Sequence, residues 1–344
     1  MKNFLYLLAG LFLFSCNTKK EYIPREFNTV DVEEIYSDSI SIRAIELTDE
    51  GELWFAANKG IYGRYTKEGA MITERISVDT IYPAFRSVAY NGKDAFALSI
   101  ANPALLFKLT PELKMVYKEV HENVFYDSMT FWNEKEGIAM GDPTDNCLSI
   151  IITRDGGDTW TKLSCDKLPQ SGEGEAAFAA SDTNIAIYGD HTWIVSGGMR
   201  SRVFYSLDRG ESWEVYETPI IQGVATQGIY SVDFYDENNG VVIGGDYTKP
   251  EGNEKNKAVT TDGGKTWTLV SDGGGAVYKS CVQYIPGSQA NEMVAVGFTG
   301  ISFSNDSGNS WKKLSDEGFY TIKFLNDSTA YAAGRNRIAR LRFK

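Results

Sequence analysis

Histidine and proline are scarce in this chain of 344 residues, with two of the first and nine of the second. His121 and His191 alone cannot build a zinc site of several imidazoles, and no C-x-x-C or Cys/His cluster supplies thiolate ligands, so no metal or cofactor is expected. Cysteine is sparse as well. Beyond Cys16 there are Cys147, Cys165 and Cys281, an odd set that cannot all pair within one chain. A Cys147–Cys165 bridge is allowed in an oxidising compartment, and Cys281, within an alternating apolar stretch, reads as a small core residue. Basic charge is in deficit: 34 Lys and Arg face 46 Asp and Glu, a net -12 that argues against nucleic-acid binding through a basic surface. What is plentiful is glycine (33) and aromatic side chains (18 Phe, 19 Tyr, 7 Trp). With abundant Val, Ile and Thr, that mixture predicts many short strands joined by tight turns and disfavours a helical bundle or a Rossmann enzyme. A prior of roughly 100–200 residues per domain suggests two domains or one large all-β domain.

Residues 1–16 read MKNFLYLLAGLFLFSC: one lysine, an apolar run too short to span a bilayer, then a small residue before Cys16. The ending Leu13-Phe14-Ser15-Cys16 resembles a bacterial lipobox. The expected organisation is a lipoprotein signal peptide over 1–15, a lipidated Cys16 with a polar tether over 16–25, and a folded body over 26–344. A lipidated Cys16 places the protein in the bacterial cell envelope, on the periplasmic side or the outer membrane, held through its acyl chains alone.

Internal repeats carry the fold. Four segments share Ser/Thr-x-Asp-x-Gly-x-Ser/Thr-Trp: T-R-D-G-G-D-T-W with Asp155 and Trp160, S-L-D-R-G-E-S-W with Asp208 and Trp213, T-T-D-G-G-K-T-W with Asp262 and Trp267, and S-N-D-S-G-N-S-W with Asp306 and Trp311. In each, the Asp carboxylate can accept turn N–H groups, the glycine supplies positive φ, and the Trp supplies a large ring to set between sheets. A second pattern, apolar-x-apolar or aromatic, anchors seven units at Ile45, Val88, Met129, Phe178, Val232, Val282 and Ile322. Their mean interval of roughly 46 residues suits a four-stranded propeller blade. The last unit has room for three strands, and residues 28–36 alternate like a strand that can complete it and hide its edge. The expected architecture is a single seven-bladed all-β propeller closed by an N-terminal strand.

Blade topology locates the candidate site. Loops between blades and loops joining second to third strands share one face around the channel mouth, and the long ones are 164–176, 217–228 and 246–257. Two positions before the anchors stand Arg43, Arg86, Asp127, Ala176, Tyr230, Ser280 and Tyr320; small residues occupy the next position of each unit. The candidate ligand-binding set is therefore Arg43, Arg86, Asp127, Tyr230 and Tyr320, joined on the same face by Glu175, Asp142 and Asp246. Arg43 and Arg86 can instead tie blades together through carboxylates, Tyr230 and Tyr320 can be simple packing, and Asp142 and Asp246 can be turn residues.

The four repeats resemble Asp-boxes, also called BNR repeats. Together with F-W-N-E-K-E-G-I-A-M-G-D-P (131–143) and G-E-G-E-A-A-F-A-A-S (172–181), they resemble bacterial relatives of the photosystem II stability/assembly factor family. That resemblance implies a non-catalytic assembly or scaffold propeller that binds a protein or peptide partner. The alternative is a carbohydrate-active Asp-box enzyme, whose carboxylates would come from Asp127, Glu175, Asp142 and Asp190. A sialidase F/Y-R-I-P signature is missing, and His191 alone would have to serve any Ser–His–Asp arrangement, so no catalytic residue is assigned. A monomer, with glycan as a second ligand class, completes the expectation.

Overall fold

The computed structural model describes residues 22–344, so the signal peptide and Cys16 lie outside the described residues. Apart from one 3₁₀ turn at Cys165–Lys167, its regular elements are all strands, paired antiparallel in four-stranded blades of a β-propeller. Innermost strands touch in a closed circuit: Val30–Leu47, Phe85–Tyr90, Tyr126–Phe131, Ile185–Tyr188, Gln227–Phe234, Cys281–Tyr284, Thr321–Phe324 and back to the first.

The expected count of seven separate blades is corrected: the strands form six hydrogen-bonded sheets, two of them six-stranded. The physical reason lies at the chain closure. Val30–Leu47 is one continuous strand of 18 residues whose first part pairs with Thr329–Phe343 and whose last part pairs with Leu53–Ala57. Hydrogen bonding therefore runs unbroken from the last unit into the first, and neither keeps a free edge there. A second fusion joins Glu175–Ala176 and Gly197–Gly198 to Gln227–Phe234 and the three strands beyond it.

The core fills the wedges between adjacent sheets. In one wedge Trp160 stands edge-on to Phe131 of its own sheet, 5.7 Å between centroids, and meets Phe96 of the preceding sheet at 6.5 Å. The Asp-box turn delivers that ring. In the copy at 260–267, Asp262 accepts the Thr266 N–H at 2.9 Å and the Thr266 hydroxyl at 2.6 Å, while Thr260 Oγ1 accepts the Gly264 N–H at 3.0 Å. Gly264 sits at φ +87°, and its carbonyl accepts the Trp267 indole N–H at 2.9 Å. Partial burial pushes the Asp262 carboxyl up, but the Thr266 donors outweigh it and hold the group below its ordinary value. Replacing Asp262 with Ala should cost about 1–3 kcal/mol, since turn donors are left unpaired. The part of that margin owed to the carboxylate charge should be full above about pH 4 and be lost as pH falls through the lowered folded value. Melting curves of both proteins between pH 2 and 7 check this; a margin independent of pH would remove the carboxylate from the account.

Cys147 and Cys165 are disulfide-bonded, and Cys281 is buried and free. The expected tether to residue 25 is docked from Tyr22 onward. The buried Glu292 carboxylate accepts the Tyr22 hydroxyl, the Arg25 backbone N–H at 2.5 Å and the Arg25 Nε–H at 2.6 Å. Asn305, in the last Asp-box, also donates to the Arg25 carbonyl. Residues 22–26 therefore lie on the Asp-box face, at the end of Cys281–Tyr284 and Met293–Gly297 opposite the channel mouth.

Candidate functional site

Four innermost strands carry a bulge at one equivalent position. Against the neighbouring strand, Ile42 pairs with Ala57 and Ala44 with Ala56, which leaves Arg43 as the extra residue. The same slip leaves out Arg86 between Phe85 and Ser87, Asp127 between Tyr126 and Ser128, and Tyr230 between Ile229 and Ser231. A bulge turns its extra side chain away from the sheet face. Here the recurrent bulge turns Arg43, Arg86 and Tyr230 toward the axis, where they line a mouth cavity of about 540 Å³ together with Asp142 and Tyr320.

A loop the sequence reading misplaced forms the floor of this cavity. Phe178 was expected to anchor a fourth innermost strand, but that strand is Ile185–Tyr188, and residues 177–184 run into the channel instead. This plug is bonded to most of the ring. Arg43 Nη1 donates to the Ala180 carbonyl at 3.1 Å and Arg86 Nη1 to the Ala179 carbonyl at 2.7 Å. Asp182, at φ 61°, accepts the N–H groups of Val88 at 2.8 Å and Met129 at 3.1 Å. Thr183 Oγ1 bonds Ser231, and Ser181 donates to the Ser280 carbonyl at 2.6 Å. Asp142 accepts the Ala177 N–H at 2.7 Å. The alanine-rich run A-A-F-A-A-S is what a narrow channel admits, and its composition was the available signal.

Electrostatically the mouth is unbalanced. Arg43 and Arg86 are half-buried, neither has a carboxylate within ion-pair distance among the described residues, and Arg43 Nε has no partner. Burial lowers the proton affinity of both, and the Arg43 charge adds to the effect on Arg86, which comes down to about 10. Tyr320 supplies only its ring face to Arg43, 3.9 Å from centroid to guanidinium carbon. Close by, Asp127 is fully buried with neither carboxylate oxygen hydrogen-bonded. Burial first, and then the Asp142 charge, pushes its carboxyl well up; burial likewise raises Asp142 to about 6.

The expected residues thus divide. Arg43, Arg86, Tyr230, Tyr320 and Asp142 converge on the mouth cavity. Asp127 lies sealed beneath it. Glu175 is buried in an ion pair with Arg202, whose Nε donates to it at 2.9 Å. Asp246 is buried and accepts the Thr248 N–H and hydroxyl, a turn role away from the cavity lining. Asp190 pairs with Arg209 on the Asp-box face. Sequence reasoning missed an aromatic wall: Phe178 stacks on Tyr230 with centroids 4.0 Å apart, Tyr278 meets Tyr230 edge-on at 5.0 Å, and Tyr247 and Phe298 are exposed beside them. Tyr278, Tyr247 and Phe298 sit in loops outside the repeat register, so periodicity had no hold on them, while Phe178 fits the anchor pattern but belongs to the plug loop. Among the described residues, no group of three or more His, Cys, Asp or Glu side chains is placed to hold a metal.

The BNR/Asp-box repeat model matches residues 258–269, the third of the four copies. No curated protein matches the sequence. Among solved structures, YCF48 bound to D1 peptide is similar over 93% of this chain and 98% of its own, with TM-score 0.65 and 15% identity. YCF48 from Cyanidioschyzon merolae is similar over 92% and 98%, with TM-score 0.60 and 14% identity. A catalytically inactive virginiamycin B lyase from Staphylococcus aureus, with quinupristin, is similar over 91% and 99%, with TM-score 0.67 and 12% identity. The chain carries an Asp-box repeat and shares the β-propeller fold of the YCF48 structures.

Proposed function

We propose that this propeller is a non-catalytic binding module that captures a peptide segment of a protein partner at the channel mouth, in an assembly or scaffold role. One observation carries the reading. Two guanidiniums from consecutive innermost strands face the same cavity, the Arg43 charge disfavours that of Arg86, and neither makes an ion pair among the described residues, the buried Asp127 offsetting only part of the Arg86 charge. A peptide carboxylate received between them would supply the missing counter-charge through charge-assisted hydrogen bonds. The aromatic wall would accept the apolar part of the segment. YCF48, which resembles this chain in fold, has been solved with a D1 peptide bound, and that supports a peptide ligand here. Glycoside chemistry needs two carboxylates flanking an open cleft. Of the carboxylates expected for that chemistry, Glu175 is tied to Arg202, Asp127 is sealed and Asp190 pairs with Arg209 on the other face, so none of that set stands opposite Asp142 in the mouth cavity. Charge reversal at Arg43 and Arg86 is the test.

The proposal includes a lipid anchor at Cys16 in the bacterial envelope. Docking of Tyr22 and Arg25 on the Asp-box face would then point the mouth away from the membrane, toward a partner. Cys16→Ser should move the protein from the membrane fraction to the soluble fraction. A wild-type protein that carries no lipid and is already soluble would remove the anchor.

A further inference from the structure

The loops that join second to third strands reach the mouth face, and their exposed side chains divide it in two. In three consecutive units these loops present a large apolar side chain. Met199 lies between His191–Val195 and Arg202–Ser206, Tyr247 follows Gly240–Asp246, and Phe298 lies between Met293–Gly297 and Gly300–Ser304. They are 47%, 48% and 47% exposed, so each offers about half of its surface to a ligand. In the units that carry Arg43 and Arg86, the corresponding loops expose Lys59, and Ala101 with Asn102, and no large apolar side chain. Turns ordinarily take small or polar residues, so a run of exposed large side chains on one half of a ring marks a binding surface.

Tyr247 and Phe298 both line the mouth cavity, and the backbone fixes both. Tyr247 stands in a tight turn: Asp246 Oδ1 accepts the Thr248 N–H at 3.0 Å and its hydroxyl at 2.6 Å, and the Asp246 carbonyl accepts the Lys249 N–H at 2.9 Å. Phe298 opens a two-residue hairpin that packs on Gly318, where an added Cβ would meet the Phe298 Cα and carbonyl oxygen at 3.0 Å. Rings held this way lose little freedom when a ligand settles on them. Behind them, buried Tyr278 joins the two halves of the mouth. Its ring centroid lies 5.0 Å from that of Phe298, and both Tyr278 and Arg43 line the cavity. Burial governs the proton affinity of each, and each also feels the other. Tyr320 and Tyr278 are the ionisable groups that act on Arg43; no carboxylate does, and its buried Nε has no partner. An unpaired cation and an aromatic wall thus meet at one ring.

We propose, on the basis of the peptide-capture reading, that the captured segment carries a large apolar side chain, aromatic or leucine-sized, immediately beside its carboxylate. The carboxylate meets Arg43 and Arg86, and the apolar side chain rests on Phe298 and Tyr247 over Tyr278. A C-terminal residue supplies that chemistry, and so does an Asp or Glu next to an apolar residue. The arginines then impose the need for a carboxylate, while Tyr247 and Phe298 choose among the segments that have one.

The experiment passes a randomised hexapeptide pool with free C-termini, and the same pool amidated, over the immobilised full chain, and reads retained sequences by mass spectrometry. Phe, Tyr, Trp, Leu and Met should be enriched about fivefold or more beside the carboxylate, as burial of one such side chain against two rings predicts. A C-terminal source shows as a free pool retained about tenfold over the amidated one. An internal source shows as equal retention, with Asp or Glu enriched next to the apolar residue. Tyr247→Ser combined with Phe298→Ser should lose the apolar enrichment and keep the carboxylate requirement, whereas Tyr247→Phe with Phe298→Tyr should keep both. Both side chains are half exposed, so the melting temperature of each variant should stay near that of the wild type. Retention that needs a carboxylate but shows no apolar enrichment in the wild type, or enrichment unchanged in the serine variant, overturns this inference and leaves peptide capture standing. Retention indifferent to any carboxylate, or none, overturns both.

Discussion

Replacing Arg43 and Arg86 together with glutamate is expected to weaken binding of a carboxylate-terminated peptide by about a hundredfold to ten-thousandfold. Each hydrogen bond to a charged group contributes roughly 1.5–3 kcal/mol, so losing two removes about 3–6 kcal/mol, at 1.4 kcal/mol per factor of ten. Reversal adds repulsion to that loss. The plug complicates the result, because the same guanidiniums hold the Ala179 and Ala180 carbonyls at 2.7 and 3.1 Å. These bonds also involve a charged donor, at roughly 1.5–3 kcal/mol each, so a fall in melting temperature should accompany the loss of binding. Calorimetric titration and melting on the same samples separate the roles. A large fall in melting temperature, with normal affinity in the surviving folded fraction, would make the pair scaffold and reverse the assignment.

A large loss of stability is expected from Asp182→Ala. The Asp182 side chain is partly buried in the channel, where it accepts two backbone N–H groups from two different innermost strands, Val88 at 2.8 Å and Met129 at 3.1 Å. Each buried donor left unpaired costs about 1–3 kcal/mol, which places the total near 2–6 kcal/mol. Burial raises the carboxyl well above its ordinary value, and the two N–H bonds offset only part of that. Stability from this group is therefore complete below the unfolded value near 4 and declines as pH rises through the folded one. Asp182→Asn keeps a side-chain oxygen for one or both donors and removes the titration, so it should recover much of the loss and flatten the pH dependence above pH 4. Denaturant unfolding of the three proteins at pH 5 and pH 8 checks both effects. An alanine variant as stable as wild type would mean that the plug is not fastened through Asp182.

The bulge residues show how much of the site was legible. Arg43, Arg86 and Tyr230 were found by counting two positions back from a repeated strand anchor, and that count works because each bulge recurs at the same step of the repeat. The count failed at Phe178, where the anchor pattern is imitated by a loop and the innermost strand begins later, at Ile185. Asp127 has the right register and the wrong depth. Asp246 has the right face, but its Oδ1 accepts both the N–H and the hydroxyl of Thr248 two residues on. Tyr278 and Phe298 carry no periodic signal, because loops answer to their neighbours in space.

By itself the sequence determined the repeating architecture: Asp-box turns, strand alternation and an N-terminal strand able to complete the last unit. Those features rest on interactions within a few residues, as in the bonds from Asp262 to Thr266, so turn chemistry and side-chain alternation encode them directly. Tertiary structure alone decided the six-sheet count, the plug and the partners of the arginines. The closing strand pairs Val30 with Phe343, Arg43 reaches a carbonyl 137 positions away, and Arg86 one 93 positions away. No local propensity specifies such contacts. They form because a closed ring brings its innermost strands to one axis, where an alanine-rich loop is small enough to enter and two buried guanidiniums must find oxygen.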